Sequence, residues 1–331
     1  RQISKASNIG SDVIDIDSTD TYMNLDDKIK TSVYGQDEAV DTLCESIILS
    51  KSGLREPNKP IGSFLFVGPT GTGKTETAKT LAKELQCQLV KFDMSEYMER
   101  HSVSKLIGAP PGYVGHAEGK MGQGQLLAAV EADPNCVLLL DEVEKAAPEV
   151  LQVLLQVMDD GKLTGSAGKV VDFSNVVLIM TSNLGAADAE RRKIGFGDGN
   201  NDGEVSKAIE SFFAPEFRNR LDSVVRFNKL DQDLMANIVD RLIEDTNKLL
   251  ISNGKNIQLG ISAKARKKLC ADGYDPAMGA RPLKRVFEAE VKKPLSKTIL
   301  FESLDDVLIK VDYDVQLQTY TFTHKAIRPR R

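Results

Sequence analysis

One short run constrains this chain more than any other. Gly68-Pro69-Thr70-Gly71-Thr72-Gly73-Lys74-Thr75 follows an apolar stretch, Ser63–Val67, and precedes Ala78, Leu81, Ala82 and Leu85 at helical spacing. Strand, glycine loop and helix in that order form the setting in which G-x-x-x-x-G-K-T cradles a triphosphate such as ATP. The glycines let the backbone curl so that successive N–H groups point inward. Those donors and the helix N-terminus then hold phosphate oxygens. Lys74 brings a point charge to the β- and γ-phosphates, and the Thr75 hydroxyl can ligate Mg²⁺.

A loop of this kind needs a sheet behind it, and the flanking pattern supplies one. Gln88–Phe92, Cys136–Leu140 and Asn175–Thr181 read as further short strands, the second entirely apolar. Helical segments alternate with them: Asp37–Ser52, with Leu43, Ile47 and Ile48 on one face, and Pro148–Asp160, closed by Gly161. Apolar strands alternating with helices predict an α/β fold with a parallel sheet buried on both faces. From about residue 229 the pattern changes. Asp231 reads as the cap of a long helix bearing Leu234, Ile238, Leu242 and Leu249, and two late strands follow near Val307–Val311 and Gln316–Phe322. The expected division is a lead-in at 1–24, a large domain at 25–228 and a smaller α+β domain at 229–331. A chain of 331 residues is long enough for both.

The second chemical signal is Val137-Leu138-Leu139-Leu140-Asp141-Glu142, an apolar strand ending in paired acids. Beside a phosphate loop, Asp141 falls next to Mg²⁺, and Glu142 can polarise a water for attack on the γ-phosphate. That base favours hydrolysis over transfer. Three further residues are ambiguous by themselves. Asn183, after Asn175–Thr181, can orient that water or can be a turn residue. Arg220 and Arg281 suit neutralising a transferring phosphoryl group, and suit surface ion pairs equally well.

Composition removes other functions. The formal charge of −5 carries no basic excess to attract nucleic acid. No apolar run reaches the ~20 residues of a membrane span. Cys44, Cys87, Cys136 and Cys270 are far apart and read as reduced core residues of a cytoplasmic protein. No zinc-peptidase or serine-hydrolase motif occurs, so peptide hydrolysis on this chain is not expected. The start at Arg1 reads as a piece of something longer.

In this order, with Phe92–His101, Leu106–Gly115, Leu139–Lys145 and Gly273–Pro282, the motifs resemble the AAA+ family, and within it the second ATPase module of Clp unfoldases of the ClpA kind. The resemblance runs from about Leu25 to about Phe322. It implies a P-loop AAA+ sheet followed by a small domain, assembled as a hexameric homo-oligomer. It implies that the segment Val33-Tyr34-Gly35-Gln36 lines the adenine pocket, with Val33 and Tyr34 on the nucleotide, that Asn183 is sensor 1 and that Arg281 is sensor 2. Arg220 becomes an arginine finger reaching a neighbour's ATP, with Arg218 a competitor. Tyr113 and Val114, between Gly112 and Gly115, resemble a pore loop that grips unfolded polypeptide, and Lys162–Val171 a second pore-facing hairpin. Ile194-Gly195-Phe196 resembles the tripeptide that docks a ClpP-type peptidase. The same motor without a peptidase, as a disaggregase, and a nucleotide-gated binding module are the competing readings. The chain departs from the family's pattern at His116–Gly124 and at Ala147-Pro148.

Overall fold

The computed structural model describes residues 19–54, 58–108, 124–165, 168–185, 202–275, 278–302, 304 and 306–326. Five parallel strands build the first sheet: β1 (Gly62–Val67), β2 (Gln88–Asp93), β3 (Cys136–Asp141), β6 (Val177–Ser182) and β7 (Ser223–Arg226). Their order is β2-β3-β6-β1-β7, so the strand that feeds the glycine loop is flanked on both sides. The four strands expected for this sheet are all present, each within two residues of its expected ends, and the two late strands lie within four of theirs. Strand β7 carried no sequence signal of its own. A separate hairpin, β4 (Lys162–Thr164) against β5 (Val170–Asp172), occupies the segment expected to form one.

The central strands are buried along their whole length because both faces are covered. Leu65, Val67, Leu138, Leu140, Leu178 and Met180 point to one side, where Leu127, Val150 and Leu154 pack on them. Phe64, Phe66, Val137, Leu139, Val177 and Ile179 point to the other, against Leu43, Ile47, Ala78 and Leu81. The period of two thus splits one apolar run between the two faces of the sheet, which is why no polar alternation marks these strands.

Beyond residue 229 a second core forms. The helix Met235–Ser252, the helix Ala263–Gly273 and the helix Arg281–Phe287 cover a three-stranded sheet of β8 (Ile257–Ile261), β9 (Val307–Asp314) and β10 (Thr319–Ala326). Strand β9 runs parallel to β8 and antiparallel to β10. Met235, Val239, Leu259, Leu269, Phe287 and Ile309 meet inside it. Among the described residues no helix is long and apolar enough to cross a membrane.

Three local expectations are corrected. The first long helix ends at Leu49 and passes into a wider turn, Ser50–Leu54, with Gly53 at φ 79°; Ile48 is exposed, off the face that buries Leu43 and Ile47. Asp231 does not cap the later helix, which starts at Met235 after a short 3₁₀ turn, Gln232–Leu234. That helix buries Met235, Val239 and Ile243, and leaves Leu249 exposed. Two adjacent apolar stripes, one residue apart, run along it, and periodicity cannot say which one meets a core. Within the segment expected as a lead-in, Thr19–Tyr22 makes one helical turn.

Candidate active site

Every parallel strand delivers its carboxyl end to the same edge, where ligands of open α/β sheets bind. Strand β1 ends at Val67, and the chain turns through Gly68, Gly71 and Gly73, with φ of 149°, 77° and 105°. Gly73 then precedes the helix Lys74–Glu84. A Cβ on Gly71 would lie 2.0 Å from the Met278 carbonyl, so only glycine lets the turn before Arg281 sit on this loop. A cavity of about 600 Å³ opens here, lined by Thr70, Gly71, Thr72, Gly73, Lys74 and Thr75, and by Asp141, Glu142 and Asn183. Pro69 lies behind that surface, where its carbonyl accepts from the Thr72 hydroxyl at 2.9 Å.

Lys74 is the centre of the arrangement. Its ammonium donates to the carbonyls of Gly68 at 2.5 Å and Pro69 at 2.9 Å, and to Asn183 Oδ1 at 2.9 Å. Burial pushes its pKa down to about 8, against the opposing pull of Glu144, Asp141 and Glu142. Asn183 carries the connection onward. Its Nδ2 donates to Glu142 Oε1 at 3.4 Å, and its backbone N–H to Glu144 Oε1 at 3.0 Å. One neutral amide therefore touches both the buried cation and the carboxylate that could activate water.

The acid pair is held just as closely. Thr181 donates its hydroxyl to Asp141 Oδ1 at 2.5 Å and accepts the Glu142 N–H at 3.0 Å. Lys91, on edge strand β2, pairs with Asp141 Oδ2 at 2.6 Å. Glu142 leaves the strand in a left-handed conformation, φ 56°, and its Oε2 accepts from Lys145 at 2.5 Å. That contact raises the Lys145 pKa. Thr75 and Asp141 share the cavity wall and offer hard oxygen donors, a set that fits Mg²⁺.

Two further segments line the cavity with apolar side chains, beside Ser32, Arg241 and Asp245. Val33 and Tyr34 form one wall, and Ile238 and Leu242 the other. Arg281, at the start of its helix, and Lys284 one turn later reach the cavity from the second core. Arg220 is placed elsewhere. Outside the cavity lining, it pairs with Asp159 and lies 3.4 Å from Glu216 Oε1. Arg218 faces Glu210 at 3.6 Å. Tyr113 and Val114, and Ile194, Gly195 and Phe196, lie outside the described residues.

Sequence reasoning passed over several residues that shape this site. Lys91 and Asp93 alternate on a strand beside the acid pair, a pattern that could have been read. Gln36 lay inside the segment assigned to the adenine pocket, yet its amide proves to be a buried tie (donating to Thr72 O at 3.1 Å and Asn228 O at 2.8 Å). Arg241, Ile238 and Leu242 had no local signal for a nucleotide site.

Known families match both halves. The AAA domain (Cdc48 subfamily) matches residues 59–224, and the C-terminal, D2-small domain of ClpB protein matches residues 230–311. The ClpA homolog protein of Fuscovulum blasticum is 49% identical over 302 residues, covering 91% of this chain and 37% of its own length. The ATP-dependent Clp protease ATP-binding subunit ClpE of Lactococcus lactis is 44% identical, covering 87% of this chain and 39% of its own length. Chaperone protein ClpB of Rhodopirellula baltica is 47% identical, covering 88% of this chain and 33% of its own length. The chain thus spans little more than a third of the length of these relatives.

Proposed function

Because this chain belongs to the AAA+ ATPases and carries the small domain of their Clp branch, we propose that it is the ATP-hydrolysing motor of a hexameric ring that unfolds polypeptide and feeds it to a separate ClpP-type peptidase. The observation that carries the hydrolytic part is the Asn183 amide, which joins Lys74 to Glu142. Residues 69–75 hold the triphosphate, with Lys74 on its terminal phosphates. Val33, Tyr34, Ile238 and Leu242 enclose the base. Glu142 takes the proton from the attacking water, and Asn183 orients that water against the γ-phosphate. Thr75 and Asp141 would hold Mg²⁺, which neutralises phosphate charge when bound. Arg281 brings the small domain at 229–331 to the large one at 25–228. Arg220, held outside its own chain's cavity, serves the site of a neighbour.

Tyr113 and Val114 would grip the substrate, since an aromatic between glycines binds a chain by area rather than by sequence. Ile194-Gly195-Phe196 would dock the peptidase, a role supported by the name of the ClpE relative. Four free thiols favour a cytoplasmic setting. A second reading, the same motor working without a peptidase, is favoured by the ClpB small-domain match and the ClpB relative.

The test combines light scattering with steady-state ATP turnover. A nucleotide-dependent hexamer that hydrolyses ATP is expected, with Glu142→Gln still assembling and binding ATP but turning over at least about a hundred-fold more slowly. An assembled parent with no turnover would make the chain a nucleotide-gated binding module. Gly195→Asp separates the two motor readings: it should abolish peptidase binding and spare ATP turnover. Undiminished binding would remove the docking role.

A further inference from the structure

Two walls enclose the base end of the cavity, and one side chain ties them together. The first wall is the segment that follows the helix Leu25–Lys30. Its turn is closed by the N–H groups of Ser32 and Val33, each donating to Ile29 O at 2.9 Å. Gln36 then fastens the segment to the phosphate loop at Thr72 and to Asn228. The second wall is the helix Met235–Ser252. Its Met235, Val239 and Ile243 face belongs to the second core, so the helix moves with that domain. Ile238 and Leu242 meet the cavity from it.

We propose that Arg241 is a clasp that sets the width of the base end and couples the seating of an adenine nucleotide to the position of the small-domain helix. Its Nη1 donates to the Thr31 carbonyl at 3.2 Å and to Ser32 Oγ at 2.7 Å, across more than two hundred residues of chain. Its Nε lies 3.5 Å from Asp245 Oδ1, one turn further along the same helix. The Arg241 side chain is 22% exposed, and both Arg241 and Asp245 line the cavity. The two bonds to Thr31 and Ser32 form only while the two walls keep this spacing. Swinging the helix outward breaks both bonds to the first wall at once. A planar base between Val33, Tyr34, Ile238 and Leu242 gains its contacts at the same spacing, so clasp and base favour the same closed arrangement. The partners of Arg241 are Thr31, Ser32 and Asp245, and none of these belongs to the loop that holds the phosphates. It is a positioning residue, and its contribution is common to ATP and ADP, unlike that of residues on the γ-phosphate.

This inference rests on the nucleotide reading above, and the experiment separates the two. Fluorescently labelled ATP and ADP are titrated into the parent chain, R241A, R241K, S32A and K74A. R241A should weaken both nucleotides equally, by about ten-fold, because two charge-assisted hydrogen bonds are lost. R241K, which keeps a donor within reach, should regain most of that loss. S32A removes one acceptor only and should cost about three-fold on both nucleotides; it decides the matter if R241A fails to fold. Binding by R241A or S32A within the error of the parent would overturn the clasp. So would a loss confined to ATP, or an R241K as weak as R241A, which a plain stability defect produces. If the parent binds no more tightly than K74A, the nucleotide reading itself is wrong, and the clasp falls with it.

Discussion

Lys74 shows how much one buried residue can decide. Lys74 is 8% exposed, and its ammonium sits among two backbone carbonyls and Asn183. A triphosphate offers the charge that burial withholds. Charge-assisted contacts are worth roughly 1.5–3 kcal/mol each, so Lys74→Ala should lower ATP affinity by ten-fold or more in calorimetric titration. The pH dependence follows from the same burial. Desolvation lowers the Lys74 pKa to about 8, and bound phosphate favours the charged form. Binding therefore takes up a proton at and above that pH. ATP affinity should be level below about pH 8 and fall as the pH rises through it. Lys74→Arg, charged throughout, should lose that fall even if its affinity is lower. Calorimetry in buffers of different ionisation enthalpy measures the proton directly.

At the scale of elements, the site depends on ties between segments that are remote in sequence. Gln36 is 2% exposed, and its amide spans the adenine segment, the phosphate loop and the chain leaving β7. Gln36→Ala takes the amide donor from the buried Thr72 carbonyl and removes both bonds to the Asn228 backbone. An orphaned buried group costs about 1–3 kcal/mol, so urea unfolding should show a lower midpoint by an amount in that range. Unchanged stability would mean that water replaces the amide without cost. Gly161 shows the same dependence in a cap. It ends the helix Pro148–Asp160 at φ 58°, and a Cβ there would meet the Asn58 carbonyl at 2.3 Å. The helix stops where only glycine passes the neighbouring loop.

At the scale of the whole molecule, the position of Arg220 governs the prediction. It lies outside the lining of its own chain's cavity, pinned to Asp159, whose carboxylate raises its pKa further. Arg220→Ala should leave ATP binding in its own chain intact and lower turnover of the assembled protein by about a thousand-fold, as loss of an arginine finger does. Mixing supplies the sharper measurement. Arg220→Ala subunits keep Glu142, and Glu142→Gln subunits keep Arg220. Mixed rings then contain some complete sites, and activity should return. Mixtures as inactive as either variant would place Arg220 outside the reaction.

What the sequence determined by itself is the chemistry that consecutive residues make. The cradle at 68–75 needs successive backbone N–H groups, and Asp141-Glu142 needs a strand end, so both were legible as short runs. The alternation of apolar strands and helices was legible for the same reason, because it follows from local period. Tertiary structure decided what depends on distant residues meeting. Asn183 was ambiguous as a strand-end residue, and only the fold sets Lys74 and Glu142 on either side of its amide. The face of the helix Met235–Ser252 that is buried was settled by the second core, while Ile238 and Leu242, partly buried at its border, also line the cavity. Gln36 and Arg241 act across 192 and 210 residues of chain, a separation over which no periodic pattern carries information. Packing alone brings such groups together, and so packing alone reveals them.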